Sequence, residues 1–196
     1  MKILTIASPR SGGKYFTEYL ANRYNLTHYH EPEMNGRLDN ILSKNNISVK
    51  LVTSHLYYYY HLEMGISIDE SISIICDRVS KFKFDKVYLL DRYHTDEYIE
   101  ALINLKLRQE NNHVDWVYNE QFKKKHVTKS NIEYFKGYAE ESTRWINMIS
   151  DKLSIDVIYY DDLYYKSDTI DLQGLKFIPD LSKRLRKELL DSNKLI

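Results

Sequence analysis

The chain has 196 residues, enough for one α/β domain with a proper core, and no linker-like stretch divides it, so we read residues 1–196 as a single domain. Its 28 basic and 28 acidic residues give a net charge of zero, and we therefore expect no nucleic-acid partner and no anionic membrane surface as a partner. One cysteine, Cys76, excludes an internal disulfide, and without a leader-like segment or an apolar run of about 18 residues a soluble, cytoplasmic protein is expected.

Hydrophobic periodicity predicts strands that alternate with helices along the chain. Short apolar runs predict five strands, at residues 3–7, 26–30, 47–53, 86–90 and 155–160. Apolar residues at helical spacing predict five helices, at residues 14–24, 66–82, 95–109, 131–153 and 181–190. The polar stretch 111–129 is read as a loop or a short helix. This alternation predicts a three-layer α/β/α fold with a central, mostly parallel sheet, whose ligands bind at the carboxyl ends of the strands.

The loop after the first strand, Ser-Pro-Arg-Ser-Gly-Gly-Lys-Tyr at residues 8–15, is the most informative segment. A buried strand that breaks into such a loop and restarts as a helix directs backbone N–H groups and the positive end of the helix dipole at one place. Arg10 and Lys14 add positive charge. The segment therefore predicts an anion site, most often one for a nucleotide phosphate. The alternative is an ordinary strand-to-helix connection, which does not need two basic residues beside paired glycines.

The same segment fits the common nucleotide-binding loop, Gly-x-x-x-x-Gly-Lys-Ser/Thr, only in part. Gly13 and Lys14 stand at the expected positions, but Ser8 replaces the first glycine. Tyr15 replaces the hydroxyl residue that holds Mg²⁺ beside a triphosphate. A metal-dependent ATP or GTP site is therefore disfavoured, and we expect a site that uses no metal.

The Pro-Arg-Ser-Gly sequence at residues 9–12 resembles the 5′-phosphosulfate loop of the sulfotransferases that use PAPS, 3′-phosphoadenylyl sulfate. The resemblance implies a P-loop NTPase-like sulfotransferase architecture, with PAPS as the sulfuryl donor and PAP as the product. It also implies that the donor is bound by six consecutive residues: Arg10, Ser11, Gly12, Gly13, Lys14 and Tyr15.

Within this loop the resemblance implies different roles. Arg10 would bridge phosphate and sulfuryl oxygens, and Ser11 and Gly12 would donate hydrogen bonds to the phosphate. Lys14 stands where the family usually has a hydroxyl residue, so its charge either stabilises the leaving phosphate or anchors it. Tyr15 lies where an aromatic ring stacks on adenine.

Glu31, after the second strand, is the first candidate for a catalytic base. It resembles the glutamate that takes the acceptor's proton in some sulfotransferases, including the bacterial trehalose type and the tyrosylprotein type. The alternative is that Glu31 and Glu33 form a solvated turn around Pro32 without a catalytic part.

His55 is the second candidate, in Thr-Ser-His-Leu at residues 53–56 after the third strand. This segment resembles the Lys-Thr-His-Leu of the cytosolic sulfotransferases, whose histidine is the base, and a neutral imidazole suits that role. The family's lysine has no counterpart at Thr53, and Lys50 lies three residues too early. A structural histidine is the alternative.

Arg92, after the fourth strand, matches the family's arginine that holds the 3′-phosphate of PAPS. Eight residues on, the family has a serine where this chain has Glu100, whose carboxylate would repel a phosphate unless it faces away. The segment 159–163, Tyr-Tyr-Asp-Asp-Leu, resembles the Tyr-Glu-Asp-Leu that follows the last strand in many members, and we take it as an architectural marker.

The sequence therefore predicts a sulfotransferase that moves a sulfuryl group from PAPS to the hydroxyl of a small molecule or glycan, without a metal. Arg10 and Lys14 would act on the leaving group, and Glu31 or His55 would remove the acceptor's proton. The acceptor is a carbohydrate, a phenol or another alcohol.

Two other functions stay open. A P-loop nucleotide or nucleoside kinase is suggested by the apolar strand that ends at Asp91, a potential Mg²⁺ ligand, although Tyr15 argues against it. A non-catalytic nucleotide-binding protein of the same fold is kept open by Glu100.

Overall fold

The sheet in the computed structural model, which describes residues 1–35, 38–110, 127–166 and 175–177, has five strands. They are β1 (Lys2–Ala7), β2 (Thr27–His30), β3 (Ile47–Val52), β4 (Lys86–Asp91) and β5 (Val157–Tyr159). Their order is β2-β3-β1-β4-β5, and every neighbouring pair is parallel. The predicted parallel sheet is confirmed, with each strand within a few residues of its expected bounds.

Seven α-helices lie in the described residues: α1 (Gly13–Tyr24), α2 (Leu38–Leu42), α3 (Thr53–Leu56), α4 (Ile68–Phe82), α5 (Asp96–Glu110), α6 (Lys129–Leu153) and α7 (Tyr160–Leu163). Pro32–Asn35 forms a 3₁₀ turn, and Tyr57–Glu63 forms a π-helix. A short antiparallel hairpin of β6 (Tyr164–Lys166) and β7 (Leu175–Phe177) was not expected from the sequence. The helix expected at 181–190 and residues 111–126 of the polar stretch lie outside the described residues.

Capping explains where the longer helices begin. The hydroxyl of Thr95 accepts from the N–H of Tyr98 at 3.3 Å, which confirms the predicted start of α5. The hydroxyl of Thr128 accepts from the N–H of Asn131 at 3.2 Å, so α6 begins at Lys129, two residues before its expected start at residue 131. These hydroxyls satisfy amides that have no acceptor within their own helix.

The alternation of side chains along β1 divides the core into two layers around the sheet. Leu4 and Ile6 pack in a cluster with α4 and α6, which includes the fully buried Trp145. Ile3 and Ala7 face the other way, onto residues of α1 and α7: Phe16, Leu20, Tyr160 and Leu163. Helices thus cover both faces, and the predicted three-layer α/β/α arrangement is confirmed.

The strand register brings three loops together at one edge of the sheet. Ala7, the last residue of β1, lies opposite Val52 of β3 and Leu90 of β4. The N–H of Ser8 continues this pairing and donates to the carbonyl of Leu90 at 2.9 Å. The loop after β1 therefore leaves the sheet between the segment that carries His55 and the segment that carries Arg92.

Candidate functional site

The loop between β1 and α1 is a buried turn with left-handed backbone at Arg10 (φ 60°) and Gly12 (φ 72°). The Ser11 hydroxyl donates to the carbonyl of Ser8 at 2.7 Å, and the Ser11 N–H lies 3.4 Å from the same oxygen. Both serines are 1% exposed. In this state the Ser11 hydroxyl holds the turn closed, so its contact with a phosphate stays a prediction.

The two glycines are required by the close approach of neighbouring side chains. A Cβ atom on Gly12 would lie 2.5 Å from Cε2 of Tyr164 and 2.8 Å from Cδ2 of Tyr160. A Cβ atom on Gly13 would lie 2.8 Å from Cβ of Ala7 and 3.0 Å from Cε of Lys50. Gly13 thus lets α1 begin directly on β1 and β3, and Gly12 lets two aromatic rings cover the loop.

The first turn of α1 has no side chain that caps its amides. The N-cap residue, Gly12, has no side chain to accept a hydrogen bond from these amides. The first turn also has no acidic residue that would neutralise the positive end of the helix dipole. Lys14 and Tyr15 are exposed, and Nζ of Lys14 lies 4.0 Å from Oε1 of Glu18. This ion pair is weak because both side chains are solvated. To bind a ligand at the loop, the Lys14 ammonium has to leave Glu18 and contact the ligand instead.

Arg92 is a buried cation beside the loop. The residue is 7% exposed, and its Nη1 donates to the carbonyl of Arg10 at 3.4 Å. Its guanidinium carbon lies 4.3 Å from the ring centre of Tyr160 and 5.4 Å from that of Tyr98. Among the described residues, its Nε has no hydrogen-bond partner. Aromatic rings and one long hydrogen bond contact this buried guanidinium among the described residues. Because a buried charge is costly without an ionic partner, this environment indicates a site that binds an anion.

Tyr160 and Tyr164 close the outer side of the loop. Their rings stack at 4.7 Å, and the Tyr164 hydroxyl donates to the carbonyl of Gly12 at 2.9 Å. Burial raises the pKa of the Tyr164 hydroxyl, which stays a neutral donor. Neither residue was predicted to belong to the site: Tyr160 lies in the segment 159–163 that we took as an architectural marker, and Tyr164 follows that segment directly.

A cluster of charged residues lies at the ends of β2 and β3. Nζ of Lys50, a residue only 8% exposed, donates to Oε1 of Glu31 at 2.5 Å, and Nε2 of His30 lies 3.3 Å from the same oxygen. Burial alone would raise the pKa of Glu31, but the Lys50 ammonium, together with His30 and His55, lowers it below its usual value. Glu31 is therefore the anion of an ion pair.

Glu33 and His55 form a second contact in this cluster. The Glu33 side chain is 3% exposed, and its Oε1 accepts from the N–H of Val52 at 2.9 Å. The same oxygen lies 3.3 Å from Nδ1 of His55. The 3₁₀ turn after β2 thus buries Glu33, and does not leave it in a solvated turn.

Lys50 was not predicted to belong to the site, because it precedes Thr53 by three residues. Its position in the middle of β3, where every residue is buried, was the signal that could have identified it. A lysine is almost never buried without a partner, so a lysine within an apolar strand predicts a nearby carboxylate.

We expect the Lys50–Glu31 pair to make stability fall in acid. The folded-state pKa of Glu31 lies below its ordinary 4.5, so its contribution is present above about pH 4.5 and is lost as the pH falls through the lower, folded value. The double variant Glu31→Gln/Lys50→Met removes both charges together. Between pH 7 and pH 3 its unfolding temperature should fall less than that of the parent protein. Equal losses in the double variant and the parent would contradict this assignment.

Asp91, the candidate Mg²⁺ ligand of the kinase alternative, is engaged with α6. Its Oδ2 accepts from the Thr143 hydroxyl at 2.6 Å, and that hydroxyl also lies 2.8 Å from Nε2 of His94. The carboxylate is 1% exposed. This network ties the end of β4 to α6 on the face of the sheet opposite α1.

The tyrosines after His55 divide between core and surface. Tyr60 is 3% exposed, and Tyr57 packs its ring edge-on against Trp145 at 5.9 Å. Tyr58 and Tyr59 are exposed, at 56% and 42%. Of the four tyrosine rings in the π-helix, those of Tyr58 and Tyr59 are therefore the most accessible from solvent.

The sheet order and the glycine-containing loop that leaves its central strand define an α/β protein with a P-loop NTPase-like fold. No protein-family model matches the chain, and no curated protein matches it. A de novo designed protein with the P-loop NTPase fold, solved by solution NMR, is similar at 11% identity and a TM-score of 0.27, over 73% of this chain and 93% of the designed one. The fold assignment therefore rests on the strand order and the loop, and not on this similarity. Within the described residues no helix has the length and apolar character of a membrane span.

Proposed function

We propose that this protein transfers a sulfuryl group from PAPS to a hydroxyl group of a carbohydrate, a phenol or another alcohol. The observation that carries the proposal is the buried guanidinium of Arg92, which donates to the backbone of the Arg10 loop and has an unpaired Nε among the described residues. Two adjacent cationic places, the start of α1 and Arg92, suit a ligand with two phosphate groups.

The residues present fit such a donor. The amides at the start of α1, with Arg10, would hold the 5′-phosphosulfate, and Arg92 would hold the 3′-phosphate. When bound, PAPS supplies an activated sulfuryl group and leaves as PAP. Arg10 and Lys14 would balance the negative charge that develops on the leaving phosphate, and Glu31 or His55 would take the proton of the acceptor hydroxyl. None of these roles calls for a metal.

Differential thermal unfolding with PAP, with ATP plus Mg²⁺, and with no ligand tests the proposal. A ligand that binds only the folded protein raises the temperature at the midpoint of unfolding. At a free ligand concentration one hundred times the Kd, the free energy of unfolding increases by about 2.7 kcal/mol. We expect PAP to raise it and ATP plus Mg²⁺ to leave it unchanged, and we expect Arg10→Ala to reduce the PAP effect. Stabilisation by ATP only with Mg²⁺ would favour a kinase, and no response to either ligand would favour a non-catalytic protein.

Transfer itself is measured with ³⁵S-labelled PAPS and four acceptors: glucose, N-acetylglucosamine, phenol and tyrosine methyl ester. Labelled product from at least one of these is expected, with none from Arg10→Ala. Product formed equally by Arg10→Ala would overturn the role of the loop.

A further inference from the structure

Two carboxylates approach His55, and their surroundings differ. Glu31 presents Oε2 at 3.8 Å from Nδ1 of His55, whereas Glu33 presents Oε1 at 3.3 Å. Glu31 is bound by Lys50 through its other oxygen. Glu33 has no such cation in the described residues, and its Oε2 is buried without a hydrogen-bond partner there. The two residues therefore have different effects on the imidazole.

The contact with Glu33 selects one tautomer of the neutral His55 imidazole. Oε1 of Glu33 already accepts the N–H of Val52, so it acts as an acceptor, and the contact with Nδ1 is favourable when Nδ1 carries the proton. A neutral ring with its proton on Nδ1 has a lone pair on Nε2. The His55 side chain is 23% exposed, so the ring is open to a molecule from solvent.

Glu31 is poorly suited to be the proton acceptor itself. Its carboxylate is neutralised by the buried ammonium of Lys50, and the stem of Lys50 lies against Gly13 at the start of α1. Taking up a proton would leave the Lys50 charge buried without its partner, which is strongly unfavourable. The lowered pKa of Glu31 agrees with this geometry.

We propose that Glu33 is a positioning residue, which fixes the proton of His55 on Nδ1 and leaves Nε2 as the atom that takes the acceptor's proton, while Glu31 serves to hold Lys50. The catalytic part of this proposal rests on the proposed function. In the step itself, the acceptor O–H bond breaks as its proton moves to Nε2 of His55, and the acceptor oxygen bonds to sulfur. The bond between sulfur and the 5′-phosphate oxygen breaks, and its electron pair leaves with PAP. The resulting imidazolium is stabilised by the Glu33 carboxylate.

Within the described residues, ionisable groups lie near His55 on the segments of β2 and β3. The segment after β2 contributes Glu31 and Glu33, and β3 contributes Lys50 behind Glu31. From α6, the hydroxyl of Tyr138 interacts with Ser54, the residue before His55, and burial raises the pKa of this tyrosine. Tyr138 is thus neutral near pH 7 and adds no charge beside the Lys50–Glu31 pair and Glu33.

The ligand-free protein tests the positioning role without any assay of activity. In ¹⁵N NMR spectra of the histidine rings, assigned with His55→Gln, we expect the neutral form of His55 to carry its proton on Nδ1. Glu33→Leu should abolish this preference, and Glu63→Gln, at an exposed glutamate, should retain it. A proton found mainly on Nε2 in the parent protein would overturn the proposal. Unfolding midpoints establish that each variant is folded, and Glu33→Met, which also removes the acceptor oxygen, replaces Glu33→Leu if the latter is not.

The catalytic part is tested with the acceptor, among the four above, that gives the most product. His55→Gln should lower kcat by about 10²- to 10⁴-fold, the usual range for loss of a general base. Glu33→Gln, which keeps an oxygen for Val52, should lower kcat by about tenfold or more with the acceptor KM unchanged and should alter the acidic limb of the pH profile. Glu63→Gln, at an exposed glutamate, should leave kcat unchanged. Glu31→Gln/Lys50→Met should lower kcat by much less than His55→Gln does.

These outcomes separate the two proposals. A loss of kcat in Glu31→Gln/Lys50→Met as large as that expected for His55→Gln, with His55→Gln itself active, would make Glu31 the base and overturn the inference. If PAP does not bind and PAPS gives no labelled product, the sulfuryl assignment fails. The position of the proton on His55 then still decides whether Glu33 orients that ring.

Discussion

Replacing Arg92 with alanine is expected to weaken PAP binding by about 30- to 1,000-fold, or roughly 2–4 kcal/mol. The magnitude follows from burial, because a hydrogen bond between a desolvated guanidinium and a phosphate is worth more than one at the surface. Arg92 is 7% exposed, and the rings of Tyr160 and Tyr98 lie against its guanidinium. Isothermal titration of PAP into the two proteins measures the difference directly.

Arg144→Ala is the matched control, since that side chain is 58% exposed and pairs only with Glu141, three residues earlier on α6, among the contacts described. It should leave PAP affinity unchanged. Arg92→Lys should recover part of the affinity, because an ammonium keeps the charge but lacks the planar fork that binds two phosphate oxygens. Equal PAP affinity in Arg92→Ala and in the parent protein would reject Arg92 as the 3′-phosphate ligand.

Replacing Gly12 with alanine is expected to lower the free energy of unfolding by about 3 kcal/mol. A left-handed backbone costs an L-residue roughly 1–2 kcal/mol, and forcing an extra carbon into a packed region typically adds 1–3 kcal/mol. The new Cβ would lie 2.5 Å from Cε2 of Tyr164, a ring fixed by its stacking on Tyr160 and its hydrogen bond to Gly12. Urea unfolding monitored by circular dichroism measures the loss.

Gly137→Ala provides the control for this substitution. Gly137 lies within α6, and no atom is found within 4 Å of the Cβ position among the described residues. Alanine there should stabilise the helix by about 0.5–1 kcal/mol. Adding Tyr164→Leu to Gly12→Ala should recover part of the lost stability if the clash with the ring is the cause. No recovery would assign the loss to the backbone alone.

The sequence predicted those features of the fold that depend on local patterns. Apolar runs and helical periodicity gave the five strands and the helices between them, and a parallel sheet then requires the loops after the strands to lie at one edge. This placed the loop after β1 beside Arg92, as the contact between Arg92 and the Arg10 carbonyl confirms. The segment at His55 was expected to follow the strand as a loop, whereas Thr53–Leu56 is helical and runs directly into the π-helix.

The parts of the site that the sequence did not reveal depend on contacts between distant residues. Lys50 reaches Glu31 because β2 and β3 are neighbours, and a comparison of spacing within one segment cannot detect this pairing. Glu33 is buried by a short 3₁₀ turn that polar residues do not predict. Tyr164 reaches Gly12 across 152 positions of the chain, and no periodicity connects them. The site is thus a product of the tertiary fold around one locally recognisable loop.

The bond between Tyr164 and Gly12 also has a consequence for protein synthesis. In a growing chain β1 and its turn emerge from the ribosome before Tyr164, and some 150 further residues must be translated before the tyrosine that closes the turn is present. Until then the carbonyl of Gly12 lacks the hydroxyl of Tyr164, and the guanidinium of Arg92 lacks the ring of Tyr160 beneath it. The turn after β1 therefore reaches its final environment long after it is made.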